Sequence, residues 1–139
     1  MILGIGTDLS SIERILGVLA DHEQRFVERC FRPEERDKVE NAAKGDPRIR
    51  AAGYAKRWAA KEACAKALGL GIRHEIYLKD IAVVNDEAGR PSLVLTGGAQ
   101  ERLSAITPPG MTPVVHVSLA DESSMALAFV VISADKAKD

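Results

Sequence analysis

The segment 57–66 carries residue types that could do chemistry. Positions three and four apart share a face if this segment is helical. Its functional side chains then lie in two neighbouring rows, Trp58, Glu62 and Lys66 in one and Arg57 and Lys61 in the other. A carboxylate set among bases and an aromatic side chain could form a functional site. The alternative is a solvated helix with Glu-to-Lys pairs, each contributing about 0.2–0.5 kcal/mol.

Asp8 supplies a second carboxylate. It follows an apolar strand at the edge of a helix start, where ligand-facing residues are often placed. The alternative is a simple N-cap. The surrounding sequence is not a dinucleotide-binding Gly-x-Gly-x-x-Gly motif, because Leu9 stands where the third glycine belongs. Neither segment identifies a function by itself.

The first third of the chain is predicted to be one strand followed by helices. The strand covers residues 2–7, where Gly4 and Gly6 indicate that another part of the chain packs close to the backbone. Ser10 and Glu13 form a capping-box pattern at the start of a helix with one apolar face. Further helix starts are predicted at Asp21, as a cap, and at Pro33, as a first helical position.

The rest of the chain is predicted to be a long helix followed mostly by strands. The Ala- and Lys-rich helix covers 48–68 and ends at Gly69. Alternating segments predict two hairpins, and a short helix lies between them. These elements are DIAVVND paired with PSLVLTG, the helix 98–106, VVHVSLA paired with MALAFVVIS, and a loose tail over 134–139. The order of elements favours an α+β fold.

Composition limits the class of protein. The 139 residues, 46% hydrophobic and 28% charged, predict a single folded domain over 1–139. A net charge of -1 argues against a general nucleic-acid or membrane-surface binder, and no segment reaches the roughly 20 apolar residues of a membrane span. Cys30 and Cys64 lack metal-ligand spacing, and the start of the chain lacks a signal-peptide core. We therefore expect a cytoplasmic protein with free thiols.

Three segments together resemble a known family. Gly-Ile-Gly-Thr-Asp-Leu at 4–9, Trp-Ala-Ala-Lys-Glu-Ala-x-x-Lys-Ala-Leu-Gly at 58–69 and His-Val-Ser-Leu at 116–119 recur in this order in holo-acyl-carrier-protein synthases. The resemblance runs from Met1 to about Ser133. It implies the 4′-phosphopantetheinyl transferase fold, with a small antiparallel sheet packed on a long central helix. It also implies a homotrimer with active sites at subunit boundaries.

The resemblance implies a magnesium-dependent reaction. A serine hydroxyl of an acyl carrier protein would attack the β-phosphate of coenzyme A, releasing adenosine 3′,5′-bisphosphate and leaving phosphopantetheine on the serine, for fatty acid biosynthesis. Asp8 and Glu62 match the residues that bind Mg²⁺ in the family. The candidates for accepting the serine proton are Glu62, Asp8 and a metal-held water, and the residues do not choose among them.

Other matched positions imply contacts to coenzyme A. Lys66 is the preferred phosphate contact and a catalytic residue, with Lys61 supplying further positive charge. Arg57 and His116 match family positions near the nucleotide phosphates. For His116 the alternative is a strand histidine with its hydrogen bonds satisfied.

A basic surface is expected for the second substrate, since acyl carrier proteins present an acidic helix beside their serine. Arg14, Arg25, Phe26 and Arg29 match positions that the family uses to dock its carrier, and Arg32 adds positive charge. The alternative is a solvated helix face with a core Phe.

Three positions depart from the family pattern. Trp58 replaces Phe, Leu70 replaces a Thr whose hydroxyl could touch the coenzyme, and Ser10-Ser11 replace Val-Glu near Asp8. Two other functions remain open. One is a magnesium-dependent hydrolase of nucleotide diphosphates, which would not need the basic docking surface. The other is a binding module for coenzyme A, which would not need both carboxylates.

Overall fold

A computed structural model describes residues 1–72 and 78–137. This part of the chain forms a three-stranded and a two-stranded antiparallel sheet with four helices and one helical turn. The elements in chain order are β1 (Ile2–Ser11), α1 (Ile12–Cys30), α2 (Pro33–Ala43), α3 (Pro47–Ala67), a single-turn helix (Leu78–Asp80), β2 (Ile81–Asn85), β3 (Pro91–Leu95), α4 (Gly97–Ile106), β4 (Met111–Glu122) and β5 (Met125–Lys136).

The larger sheet has the strand order β1-β5-β4, and its inner face packs on α3. Small residues allow the close approach, since Ala63 and Ala67 of α3 are buried against β1. A Cβ added to Gly4 would lie 1.9 Å from the Ala67 carbonyl oxygen, and one added to Gly6 would lie 2.0 Å from the Ala63 carbonyl oxygen. The prediction of close packing at these glycines is confirmed. The predicted α+β fold, with a small antiparallel sheet on a long central helix, is confirmed as well.

Replacing Gly6 with Ala is expected to destabilise the protein by more than the roughly 1–3 kcal/mol typical of overpacking. The new methyl group meets backbone rather than a movable side chain, so β1 must shift from α3. Gly17→Ala is the matched control, because no atom lies within 4 Å of its added Cβ. In the middle of α1 this change should stabilise the fold by about 0.5–1 kcal/mol. Urea unfolding of both variants tests the contrast, and equal effects would contradict the packing described.

A second core lies under α1 and α2. Phe31 and Tyr54 are fully buried there with their ring centroids 4.9 Å apart. Asp46 caps α3 by accepting hydrogen bonds from the Arg48 and Ile49 amides, and Pro47 follows it. The start of α3 is therefore fixed by the side chain of Asp46. None of the described helices is long and apolar enough to cross a membrane.

Several predicted boundaries are confirmed and three are wrong. The helix predicted over 48–68 is α3, the helix predicted at 98–106 is α4, and both hairpins are present. The chain turns after α3 at Gly69, whose φ is +86°. The start of α2 at Pro33 is also confirmed.

The first error concerns the start of α1. Its N-cap is Ser11, which accepts a hydrogen bond from the Arg14 amide at 3.2 Å, whereas the predicted capping box used Ser10. Ser10 instead lies in β1 opposite Ala126, because β1 continues to Ser11 alongside β5. The strand is therefore longer than the predicted 2–7.

The other errors concern Asp21 and the tail. A second helical segment does follow Asp21, as predicted, but the break lies one residue later, at the kink at His22, where φ is -140° and ψ is 35°. The tail is not loose from residue 134, because β5 reaches Lys136 and the Ala134 amide donates to the Met1 carbonyl at 2.8 Å. Residues 138–139 lie outside the described part of the chain.

Candidate active site

The structure brings Asp8, Glu62 and Lys66 together where β1 packs on α3. Side chains two apart in a strand share a face, so Asp8 points to the same side as Gly6, toward the helix. Glu62 and Lys66 are one turn apart on α3. The Lys66 ammonium lies 3.1 Å from Asp8 Oδ1 and donates to the Thr7 carbonyl at 3.0 Å.

Asp8 lies close enough to Glu62 to affect the ionisation of Glu62. Partial burial raises the pKa of Glu62, the charge of Asp8 raises it further, and Lys66 partly offsets the rise. Neighbouring carboxylates that repel each other attract a divalent cation. Glu62 is therefore poised to bind a metal or to accept a proton more readily than an ordinary carboxylate.

The donor set fits Mg²⁺. This hard cation prefers oxygen ligands and usually binds through one or two carboxylates together with waters and substrate phosphates. Asp8 and Glu62 supply two carboxylates, and the described residues contain no group of three or more His, Cys, Asp or Glu side chains suited to a metal. The arrangement matches a cation whose other ligands come from water and substrate.

Lys61 does not lie in this group, which corrects the prediction that it supplies positive charge at the coenzyme site. Its side chain is 0% exposed and makes an ion pair with Glu35 at 2.7 Å. The same ammonium donates to the carbonyl oxygens of Leu78 and Ile81. An ammonium has three donors, so none remains for a phosphate. Burial lowers the pKa of Lys61, and Glu35 opposes that change.

Glu35 is a residue that the sequence analysis missed. Its side chain is 1% exposed and also accepts hydrogen bonds from the Val83 and Arg32 amides, each at 3.1 Å. The pair Glu35–Lys61 therefore ties α2, α3 and β2 together inside the protein. One signal in the sequence could have found Glu35. It lies two residues after Pro33, where a carboxylate can accept a hydrogen bond from the backbone amide that precedes the helix.

Arg57 lies in a different place from the carboxylates. It lines a cavity of about 440 Å³ together with Lys38, Lys56 and Asn85. Its guanidinium donates to the Gly53 carbonyl at 3.2 Å, and its buried Nε has no hydrogen-bond partner among the described residues. Burial lowers the pKa of Arg57. Three cations line the cavity, and one of them, Lys56, is paired with the lining carboxylate of Asp121 at 3.0 Å. The remaining positive charge suits an anionic group such as a phosphate.

His116 lies on the opposite face of the large sheet. His116 pairs with Val131 of β5, whose neighbours Val130 and Ile132 point into the core, so Val131 and His116 point outward. Asp8 points inward. The His116 Nε2 atom is 3.1 Å from Ser133 Oγ. One copy of the chain therefore does not bring His116 together with Asp8 and Glu62.

The expected docking residues lie along α1. Arg14, Arg25 and Arg29 are exposed, and Phe26 is partly buried. The Phe26 ring lies 5.7 Å from the Trp58 ring, which is one turn before Glu62 on α3. Trp58, although it departs from the family pattern, thus joins the basic surface to the carboxylate site.

Comparison with known proteins agrees with this geometry. A sequence profile of the 4′-phosphopantetheinyl transferase superfamily matches residues 4–109. The holo-[acyl-carrier-protein] synthase of Rhodopseudomonas palustris (strain TIE-1) is 55% identical over 137 residues, which are 99% of this chain and 93% of that protein.

Solved structures are similar over nearly the whole chain. The holo-[acyl-carrier-protein] synthase of Neisseria meningitidis is 37% identical with a TM-score of 0.75, covering 96% of this chain and 99% of that one. The Helicobacter pylori enzyme in complex with coenzyme A is 28% identical with a TM-score of 0.74, covering 93% and 99%. With Asp8 and Glu62 at the junction of β1 and α3, these similarities confirm the resemblance, and the chain belongs to the 4′-phosphopantetheinyl transferase superfamily.

Proposed function

We propose that this protein transfers 4′-phosphopantetheine from coenzyme A to a serine of an apo acyl carrier protein, within fatty acid biosynthesis in the cytoplasm. The serine oxygen forms a bond to the β-phosphorus, and the bond from that phosphorus to the bridging oxygen breaks. Adenosine 3′,5′-bisphosphate leaves, and the serine proton passes to a base on the enzyme. The observation that carries the proposal is the pairing of Asp8 and Glu62 beside Lys66.

Asp8 and Glu62 would hold Mg²⁺, which when bound neutralises charge on the diphosphate. Lys66, whose side chain is more than half exposed, can turn from Asp8 toward the diphosphate oxygens. Glu62 accepts the serine proton, directly or through a water, because its carboxylate lies beside the group that would hold the diphosphate. Arg57 and its cavity take another phosphate of the coenzyme.

The outer face of the large sheet supports a homotrimer. Four large apolar side chains are exposed there in neighbouring register: Ile5 61%, Leu9 64%, Leu127 40% and Phe129 42%. A continuous apolar patch of this kind on a small domain marks a contact surface. His116 lies on the same face, so the His116 of one subunit would lie near the active site of the adjoining subunit.

The double variant Leu127→Asp/Phe129→Asp is expected to be monomeric in analytical ultracentrifugation. Buried charge at a subunit contact opposes association strongly, whereas the same changes on a solvated face would not. Activity should fall together with assembly. A variant that still sediments as a trimer would contradict the placement of the interface.

The basic surface of α1 suits an acidic carrier. Replacing Arg14 and Arg25 with Glu is expected to raise the KM for the carrier at least about tenfold, because like charges then face each other at the docking surface. The KM for coenzyme A should change little, since both arginines lie outside the carboxylate site. Lys136→Glu, at the end of β5, is the control for loss of positive charge. Equal changes in both KM values would argue against docking at α1.

The fate of coenzyme A distinguishes the proposed transferase from the two alternatives. The transferase should cleave coenzyme A only when apo carrier protein is present, which chromatography of adenosine 3′,5′-bisphosphate measures. Cleavage at the same rate without carrier would support a hydrolase. Coenzyme A that binds but stays intact with several carriers would support a binding module.

A further inference from the structure

The Lys66 ammonium contacts two groups of β1. These are Asp8 Oδ1, at 3.1 Å, and the Thr7 carbonyl, at 3.0 Å. The Asp8 side chain is only 17% exposed, whereas that of Lys66 is 52% exposed. The cation thus approaches Asp8 from the solvent side and covers a carboxylate that is otherwise partly buried.

A divalent metal at Asp8 and Glu62 requires the same carboxylate that Lys66 occupies. Lys66 contacts Asp8 Oδ1, and a metal bound at either oxygen of this carboxylate would lie close to the ammonium. The repulsion between the two cations is weakly screened in a partly buried site. The flexible stem of a lysine lets the ammonium leave when another anion attracts it. The diphosphate of coenzyme A is such an anion.

We propose that Lys66 is the resident counter-ion of Asp8 in the free protein and competes with the divalent metal until a diphosphate draws it away. This inference rests on the proposed function. Its consequence is that metal and coenzyme A bind cooperatively, because each removes an obstacle to the other. By thermodynamic linkage the effect is reciprocal.

The test measures Mn²⁺ binding to the whole protein without carrier, from the electron paramagnetic resonance signal of free Mn²⁺. Lys66→Met should bind Mn²⁺ on the order of tenfold more tightly than the wild type, because the competing charge is gone. Lys66→Arg should stay within about threefold of the wild type, since it keeps the charge. Lys136→Met is the control, placed roughly 26 Å along β5 from the residue opposite Asp8.

A second readout is the ratio of Mn²⁺ affinities with and without coenzyme A. It should exceed one for the wild type and shrink for Lys66→Met. Mn²⁺ affinity in Lys66→Met that equals or falls below that of the wild type would overturn the competition. Lys66→Gln provides the same test if Lys66→Met does not fold.

Asp8→Asn separates this inference from the function on which it rests. If Asp8→Asn weakens Mn²⁺ binding but Lys66→Met does not strengthen it, the competition is wrong and the metal site stands. If Asp8→Asn does not change Mn²⁺ affinity, either in the wild type or in Lys66→Met, the metal site itself is wrong and the inference is wrong as well.

Discussion

Replacing Glu62 with Gln is expected to lower kcat/KM for transfer by at least about 100-fold, since even residues behind metal ligands cost 10–100-fold when they are lost. The substitution removes a carboxylate of the proposed metal pair and the proposed base, yet it keeps the shape of the side chain. The same change should stabilise the folded protein at pH 7. Glu101→Gln, on the exposed side of α4, is the control and should alter neither property.

The gain in stability depends on pH. The pKa of Glu62 is raised above its ordinary value of 4.5 by burial first and by Asp8 second, so ionising it costs the folded state more than the unfolded chain. This cost is absent below the ordinary pKa, grows as pH rises from the ordinary pKa to the raised one, and is constant at higher pH. The Tm of Glu62→Gln should therefore exceed that of the wild type at pH 7 without metal, and the difference should vanish below about pH 4.5. A Tm difference that grows toward acid pH would contradict the account.

Replacing Lys61 with Met is expected to destabilise the protein by about 3–5 kcal/mol, because it leaves a buried carboxylate without a partner. That carboxylate is Glu35, whose side chain is 1% exposed. The double variant Glu35→Gln/Lys61→Met should recover much of the loss, since neither side chain is charged and Gln can still accept from the Val83 amide. Urea unfolding measures both values.

The surface pair Lys56–Asp121 offers a matched control for Lys61. Its atoms are 3.0 Å apart, but its side chains are 33% and 37% exposed. Lys56→Met should cost about 1 kcal/mol or less, as is usual for an exposed ion pair. If Lys61→Met cost no more than Lys56→Met, the structural role assigned to Lys61 would be wrong.

The carboxylate site could be predicted from sequence because its geometry follows from local features. Asp8 lies on the same face of β1 as Gly4 and Gly6, and these glycines let β1 pack directly on α3. Glu62 and Lys66 lie one turn apart on that helix. Motif and spacing together were therefore enough to bring the three charged groups to one place.

The sequence did not indicate in the same way that the Lys61 side chain points into the protein. Its helix is rich in alanine and is packed on several sides, by β1, β5, α1 and α2. Such a helix has no single apolar stripe, so periodicity does not mark which lysines face inward. Lys61 faces Glu35, which is 26 residues away, while Lys66 faces Asp8, which is 58 residues away.

Long-range pairing also explains the missed boundaries. Local signals favoured Ser10 as a cap, but its pairing with Ala126 keeps it in the strand. Residues 134–136 look like a polar tail, yet β4 pairs with them at residues 111–113. Strand partners at this separation are not visible in a local window.

The measurement that tests the central claim most directly is the intact mass of an apo acyl carrier protein after incubation with this protein, coenzyme A and Mg²⁺. The account predicts a gain of one phosphopantetheine group, located on a serine, with the wild type and no gain with Asp8→Asn or Glu62→Gln. A carrier that gains no mass with the wild type would contradict the proposed transfer. Equal gains with all three proteins would contradict the role of the carboxylates.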